Sequence, residues 1–229
     1  MSKTVLISGG TSGMGKASVE KLLADGFNVA TFAPDAQNID EKNFLSTIGD
    51  VTKEVSVKNI VKKTMAKFEQ IDILINNAGL AYYEGVTDIE IDKFRKLLDV
   101  NIVGVALLTK EVVPHMKEKK SGLIINIVSI SATPQAKTLA SYRSSKYAVA
   151  GYSDSIMHEL KPFGIRVTVI NPGMVNTPFW YPNELERRKK LNNGKLPPML
   201  EANDVADAIS YVCSQPNNVS IEELTIVPF

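Results

Sequence analysis

Short apolar runs alternate with longer amphipathic ones along the chain. "KTVLIS" (3–8) predicts a strand, and Ala17, Val19, Leu22 and Leu23 recur at helical spacing between Lys16 and Ala24. "NVATFA" (28–33) and "FLSTIG" (44–49) predict the second and third strands. Residues 53–69 carry Val57, Ile60, Val61, Thr64, Met65 and Phe68 as one helical stripe, and "IDILIN" (71–76) predicts the fourth strand. A long helix is expected from Ile89 to Lys119, kinked near its end by Pro114. "GLIINIVS" (122–129) is the fifth strand. A second long helix runs from Ser141 to Lys161 and is ended by Pro162 and Gly164. "IRVTVIN" (165–171) and the C-terminal "LTIVPF" make the sixth and seventh strands.

The strands are continuously apolar rather than alternating, which predicts a sheet covered on both faces. Strands that alternate with helices predict βαβ units and a parallel sheet. No Gly/Ser-rich linker divides the chain, so residues 1–229 are expected to form a single domain. Residues 172–202 interrupt the pattern with proline and charge, and are too long for an ordinary connection. They read either as a lid over a substrate site or as a plain surface excursion.

Composition narrows the function classes. A chain of 229 residues, 44% hydrophobic, can bury a core without disulfides or metals. A net charge of +1 provides no basic field, so no nucleic-acid partner is expected. Cys213, the sole cysteine, has no internal disulfide partner, which suits a reducing cytoplasm. His115 and His158 lack zinc-ligand spacing, so no metal is expected. No run reaches the ~18–20 apolar residues that span a bilayer. The first apolar run is too short for a signal peptide, with Lys16 and Glu20 soon after it. The expectation is a cytoplasmic protein without a membrane partner.

Four stretches carry candidate chemistry. "SGGTSGMG" (8–15) follows a predicted strand and opens a predicted helix. Gly9, Gly13 and Gly15 would let backbone N–H groups approach a pyrophosphate at the helix N-terminus, and Ser8, Thr11 and Ser12 would add hydroxyls. A turn without a ligand is the alternative. "NNAG" (76–79) closes the fourth strand, where ligands bind in open parallel sheets, or is an ordinary asparagine turn. "YRSSK" (142–146) places Tyr142 and Lys146 four apart, on one helix face. A neighbouring ammonium favours phenolate and lowers a tyrosine pKa from ~10, which suits general acid/base work. The same spacing also occurs on solvated helix faces. Ser129 ends the fifth strand, thirteen residues before Tyr142, with its hydroxyl at the sheet edge. Asn101, in "DVNIVG", is a polar residue at an apolar helix position and needs partners.

These pieces, in this order, resemble the short-chain dehydrogenase/reductase family over nearly the whole chain. Ser8-Gly9-x3-Gly13-Met14-Gly15 resembles its T-G-x3-G-[IM]-G cofactor turn, with serine in place of threonine. Asp50, with Val51 beside it, matches the adenine-contacting aspartate, and Asn76-Asn77-Ala78-Gly79 the N-N-A-G segment. Asn101, Ser129, Tyr142 and Lys146 match the catalytic set. Pro172-Gly173, with Val175 and Thr177 after it, matches the turn that holds the nicotinamide. The ending "LTIVPF" lacks the common glycine-rich tail. The chain is also similar to the subset that includes serine 3-dehydrogenase and the 3-hydroxy acid dehydrogenase-like enzymes.

The resemblance implies an α/β, doubly wound, Rossmann-type fold with a seven-stranded, mostly parallel sheet. It implies hydride transfer between NAD or NADP and a small carbonyl or secondary alcohol. In that scheme Tyr142 is the acid/base, Lys146 lowers its pKa and holds the nicotinamide ribose, Ser129 orients the substrate oxygen, and Asn101 holds a water linking Lys146 to solvent. Ala33 stands where the family's NAD enzymes tend to carry an acid, and Pro34 where its NADP enzymes often carry arginine; Ser12 is not basic, and Asp35 would repel a 2′-phosphate if it reached the ribose, which leans the choice slightly to NAD. Lys16 is either a stray phosphate partner or a solvated side chain. Phe179, Trp180 and Tyr181 either line an apolar pocket or anchor the excursion, and Tyr82 and Tyr83 follow "NNAG" closely enough to reach substrate. "ERRKK" (186–190) either attracts an acidic substrate or is a charged helix face. The two long helices resemble a dimer-forming pair, with Ala148, Ala150 and Gly151 permitting close approach, so a homodimer or homotetramer is expected. The alternative function is a dinucleotide-binding regulatory module without turnover.

Overall fold

The computed structural model describes residues 2–133, 140–180, 185–186, 189–190 and 192–229. An eight-stranded sheet forms the middle layer. Its strands are β1 (Thr4–Ser8), β2 (Asn28–Ala33), β3 (Ile39–Glu41), β4 (Phe44–Ile48), β5 (Ile73–Asn76), β6 (Gly122–Ile127), β7 (Ile165–Pro172) and β10 (Glu223–Ile226). Their order is β10-β7-β6-β5-β1-β2-β4-β3. Seven run parallel and correspond to the seven predicted strands. The eighth, β3, pairs antiparallel with β4 at the edge. Its three residues are half-buried or exposed, so no apolar run marks it in the sequence. A separate two-stranded ribbon joins β8 (Val175–Asn176) to β9 (Leu200–Glu201) and ties together the two ends of the 172–202 excursion.

Alternate residues of each strand enter opposite layers. Leu6, Phe32, Leu74 and Ile124 pack against α2 (Glu54–Phe68), α4 (Gly104–Lys119) and α5 (Ala140–Leu160). Val5, Ile7, Ile75 and Ile125 pack against α1 (Gly13–Ala24) and α6 (Ala202–Ser214). Both faces are dry, which is why the strands read as unbroken apolar runs.

The helix expected over 89–119 is divided. α3 (Ile91–Leu98) leads into a π-helical turn, Asp99–Val103, before α4 begins. The change in backbone register falls at Asp99–Val103, and α4 continues through Pro114 to Lys119. A π turn carries one extra residue per turn, which rotates the face a side chain occupies. Asn101 sits in this turn and is 1% exposed.

Beneath the carboxyl ends of the strands runs a buried polar chain. Asn76 Nδ2 donates to Asn126 Oδ1 at 2.8 Å and to Thr109 Oγ1 at 3.2 Å. Asn126 Nδ2 donates to Ser153 Oγ at 2.8 Å. These bonds tie β5, β6, α4 and α5 together. Among the described residues no helix is long and apolar enough to cross a membrane.

Candidate active site

The strand order reverses at β1, with β2 on one side and β5 on the other. Ligands bind at the carboxyl edge of such a switch point. The turn from β1 to α1 is built there. Gly9 has φ +71° and Gly13 φ +52°, conformations that favour glycine. A Cβ on Gly15 would collide with the Gly9 carbonyl oxygen and press on Asn77. Ser12 is the N-cap of α1 without capping it through its side chain, so the first-turn N–H groups face the cleft without that partner. Glycine clearance plus an uncapped helix N-terminus suits a phosphate.

Neighbouring strands brace the turn. Gly9 N donates to Phe32 O at 2.9 Å, and Gly10 N donates to Thr31 Oγ1 at 3.1 Å. Thr31 Oγ1 in turn donates to Ile7 O at 2.8 Å. Asn77 Nδ2 donates to the carbonyls of Ser8 and Gly9. Ser8 Oγ accepts from Asn77 N and Ala78 N at 3.1 and 3.0 Å. Ser8 is thus a buried brace between β1 and the β5 turn, rather than a hydroxyl presented to a ligand. Thr31 has the same bracing role and was not singled out by the sequence. A polar residue inside an apolar strand was its only signal.

A cleft of about 1110 Å³ opens above these turns. It exceeds the roughly 300–1,000 Å³ of a pocket for one small ligand, leaving room for a dinucleotide and a second molecule. Of the residues matched to the family's catalytic set and cofactor turns, Ser8, Asn76 and Asn101 stand behind its wall and the rest line it. At one end Thr11 Oγ1 donates to Asp35 Oδ1 at 2.8 Å, and Asp50 Oδ1 accepts from Thr52 N and Oγ1, both at 2.8 Å. Lys16 is exposed, lies 3.8 Å from Glu20, and does not line the cleft.

At the other end α5 presents Tyr142 and Lys146, 8% and 6% exposed. Lys146 Nζ lies 5.9 Å from the Tyr142 ring centroid and donates to Ile127 O at 2.9 Å. Burial pulls the Lys146 pKa down to about 8 from 10.5, which leaves it mostly protonated at pH 7. Ser129 Oγ accepts from Ser131 N at 3.0 Å at the rim of β6. Asn101 clamps the wall: Oδ1 accepts from Leu80 N at 2.9 Å, and Nδ2 donates to Leu80 O at 2.9 Å and Ser145 Oγ at 3.0 Å. These bonds join the N-N-A-G turn to α5, and Ser145, unremarked in the sequence, is their anchor.

The 172–202 excursion returns over the cleft. Gly173 N donates to Ile226 O at 2.7 Å, and Leu200 N donates to Met174 O at 2.8 Å. Thr177 comes beside Gly13, where an added Cβ would lie 3.3 Å from Thr177 Cβ. Phe179, Trp180 and Tyr83 line the cleft, whereas Tyr82 does not. Lys189 Nζ lies 3.4 Å from Glu186. Tyr181, Arg187 and Arg188 lie outside the described residues.

Residues 3–187 match the family model described as short chain dehydrogenase. The chain belongs to the short-chain dehydrogenase/reductase family. It is 35% identical to an uncharacterized oxidoreductase of Staphylococcus saprophyticus, over 99% of this chain and 97% of that one. Among solved structures it is similar to the 3-ketoacyl-(acyl-carrier-protein) reductase of Brucella melitensis complexed with NADH. That match has a TM-score of 0.86 and 28% identity, over 98% of this chain and 96% of that one. It is also similar to the closed form of serine dehydrogenase complexed with NADP+, with a TM-score of 0.86 and 26% identity, over 97% and 94% of the two chains. As a member of this family the chain is a dehydrogenase/reductase dependent on a nicotinamide dinucleotide.

The depressed Lys146 pKa has a consequence for stability. Between pH 8 and 10.5 the unfolded chain holds a proton on this lysine that the folded chain has released, so folding gains as pH rises. Urea unfolding of the chain without dinucleotide should show wild type gaining on Lys146→Met across that window, by up to about 3 kcal/mol. A stability difference that is flat from pH 7 to 10.5 would contradict the buried ammonium.

Proposed function

We propose that the protein transfers hydride between a nicotinamide dinucleotide and a carbonyl or secondary alcohol, with Tyr142 as general acid/base. The observation that carries this is the Tyr142/Lys146 pair, buried in the same cleft as the uncapped glycine turn. The bound dinucleotide would supply or accept the hydride. Tyr142 would donate its phenolic proton to the carbonyl oxygen in reduction and take the hydroxyl proton in oxidation. The Lys146 ammonium would favour the phenolate and hold the cofactor ribose. Ser129, its hydroxyl at the rim, would orient the substrate oxygen.

Asn101 is proposed to act mainly as a positioning residue, because its amide is committed to Leu80 and Ser145. One lone pair of Oδ1 is left over for the water expected to link Lys146 to solvent. Residues 1–229 are read as one dinucleotide-binding domain, with 172–202 as the substrate-side excursion. A module that binds dinucleotide without turnover would have no use for a lysine kept buried beside a tyrosine.

A preference for NAD is proposed on Asp35. Its carboxylate is held by Thr11 at the cleft end that also carries Asp50, and would meet a 2′-phosphate with like charge. Self-association is proposed through α5, where Tyr147, Ala148 and Gly151 form an exposed strip.

Three measurements check these readings. Tyr142→Phe should keep its cofactor affinity and lose turnover by about 100-fold or more. Rates near wild type on every carbonyl the parent accepts would refute the acid/base role. Asp35→Ala should raise kcat/KM with NADPH relative to NADH by about tenfold, and an unchanged ratio would remove Asp35 from cofactor choice. Light scattering at micromolar concentration should give a dimer or tetramer mass, and a monomer mass would exclude the α5 interface.

A further inference from the structure

Four aromatic rings gather at the Lys146 end of the cleft. The Tyr142 ring lies 6.1 Å from Tyr83 and 6.0 Å from Phe179, centroid to centroid. Tyr83 stacks on Trp180 at 5.6 Å with 17° between planes, and Phe179 meets Trp180 edge-on at 6.1 Å. Trp180 Nε1 donates to Val175 O at 2.6 Å, which fixes the indole and leaves its faces as its contact surface. All these spacings fall in the ~4.5–7 Å range of favourable ring pairs. The segment that brings Thr177 beside Gly13 carries Phe179 and Trp180 two and three residues later. The cage is therefore held against the dinucleotide site.

Charge is distributed unevenly along the cleft. Asp35, Asp50 and Lys53 follow β2 and β4, and Lys96 and Asp99 precede the Gly104 that packs on Val51. Among the described lining residues the cage end has one charged side chain, Lys146, already donating to Ile127 O. Among the described lining residues, an anion entering the rings would shed water without meeting a second cation. A cation could face the rings, but Lys146 stands 5.9 Å from the Tyr142 centroid and would repel it.

We propose that the Tyr83–Phe179–Trp180 cage selects uncharged carbonyl compounds bearing a flat apolar group, such as aryl or conjugated ketones. Small, polar or ionised carbonyls are disfavoured. The inference rests on the hydride-transfer reading above, since it assumes that the reacting carbonyl lies against Tyr142. Phe179 and Trp180 are then specificity-determining residues.

A matched series tests it with saturating reduced cofactor: acetophenone, butanone, phenylglyoxylate and 4-acetylphenyl-trimethylammonium. Acetophenone should exceed each of the others in kcat/KM by about tenfold. Trp180→Ala should shrink the acetophenone/butanone ratio by about tenfold through KM, and Trp180→Phe should restore most of it. If Trp180→Ala does not fold, Phe179→Leu is read in its place. Parity of acetophenone with butanone, or a higher rate on either charged compound, overturns the proposal while leaving hydride transfer intact. A ratio unmoved by the variants does the same. If no carbonyl is turned over with either cofactor, the hydride-transfer reading fails, and the cage is still read directly. Trp180 is the sole tryptophan, so its emission reports binding there. Saturable quenching by acetophenone with NAD+ present, absent with butanone, supports the cage, and equal or absent quenching overturns it.

Discussion

A parallel sheet covered on both faces leaves its polar backbone ends as the place where chemistry can be built, and this chain obeys that constraint throughout. Leu6 and Ile7 are fully buried in opposite layers, and the same is true of Leu74 and Ile75. Groups that must stay polar are displaced to the carboxyl edge, where β1, β5, β6 and β7 end at Ser8, Asn76, Ile127 and Pro172. The glycine turn, the N-N-A-G turn, Ser129 and the Pro-Gly turn are the direct continuations of those strands. The switch point at β1 opens the space between them.

What keeps that edge in shape is a set of buried hydrogen bonds between segments far apart in sequence. Ser8 and Asn77 lock the first turn to the end of β5, Thr31 locks it to β2, and Asn101 locks the N-N-A-G turn to α5. Each of these side chains is withdrawn from the cleft or shares its capacity with the backbone. A buried donor left without its partner costs about 1–3 kcal/mol, so the edge has little freedom to relax. Lys146 is part of the same economy. Its ammonium is tolerated in a desolvated place because the Ile127 carbonyl accepts from it, and the depressed pKa registers the strain that remains.

The two ends of the cleft differ in kind. The Thr11–Asp50 end is polar and charged. The Lys146 end is walled by rings and one buried ammonium. Gly173, hydrogen-bonded to β10 through Ile226, and the β8–β9 ribbon hold the segment that joins them, so glycine turn and ring cage are parts of one braced unit.

The seven parallel strands and the helices around them were legible in the sequence because burial on both faces leaves unbroken apolar runs and helical stripes. The glycine spacing and the Tyr142/Lys146 interval were legible for a related reason: turn clearance and helix pitch are local properties. The short β3 was not legible, since an exposed edge strand needs no apolar pattern. Nor was the π turn that divides the 89–119 helix, because it is stabilised by what Asn101 meets on Leu80 and Ser145, 21 and 44 residues away. The sequence by itself determined which residues could serve the chemistry. Only the tertiary structure decided that Ser8 and Asn101 brace the cleft from behind, that Asp35 is held by Thr11, and that Tyr83 and Phe179, both packed on Trp180, meet the Tyr142 ring. Those outcomes depend on contacts between distant segments, and hydrogen bonds and ring packing across such separations leave no periodicity in the chain.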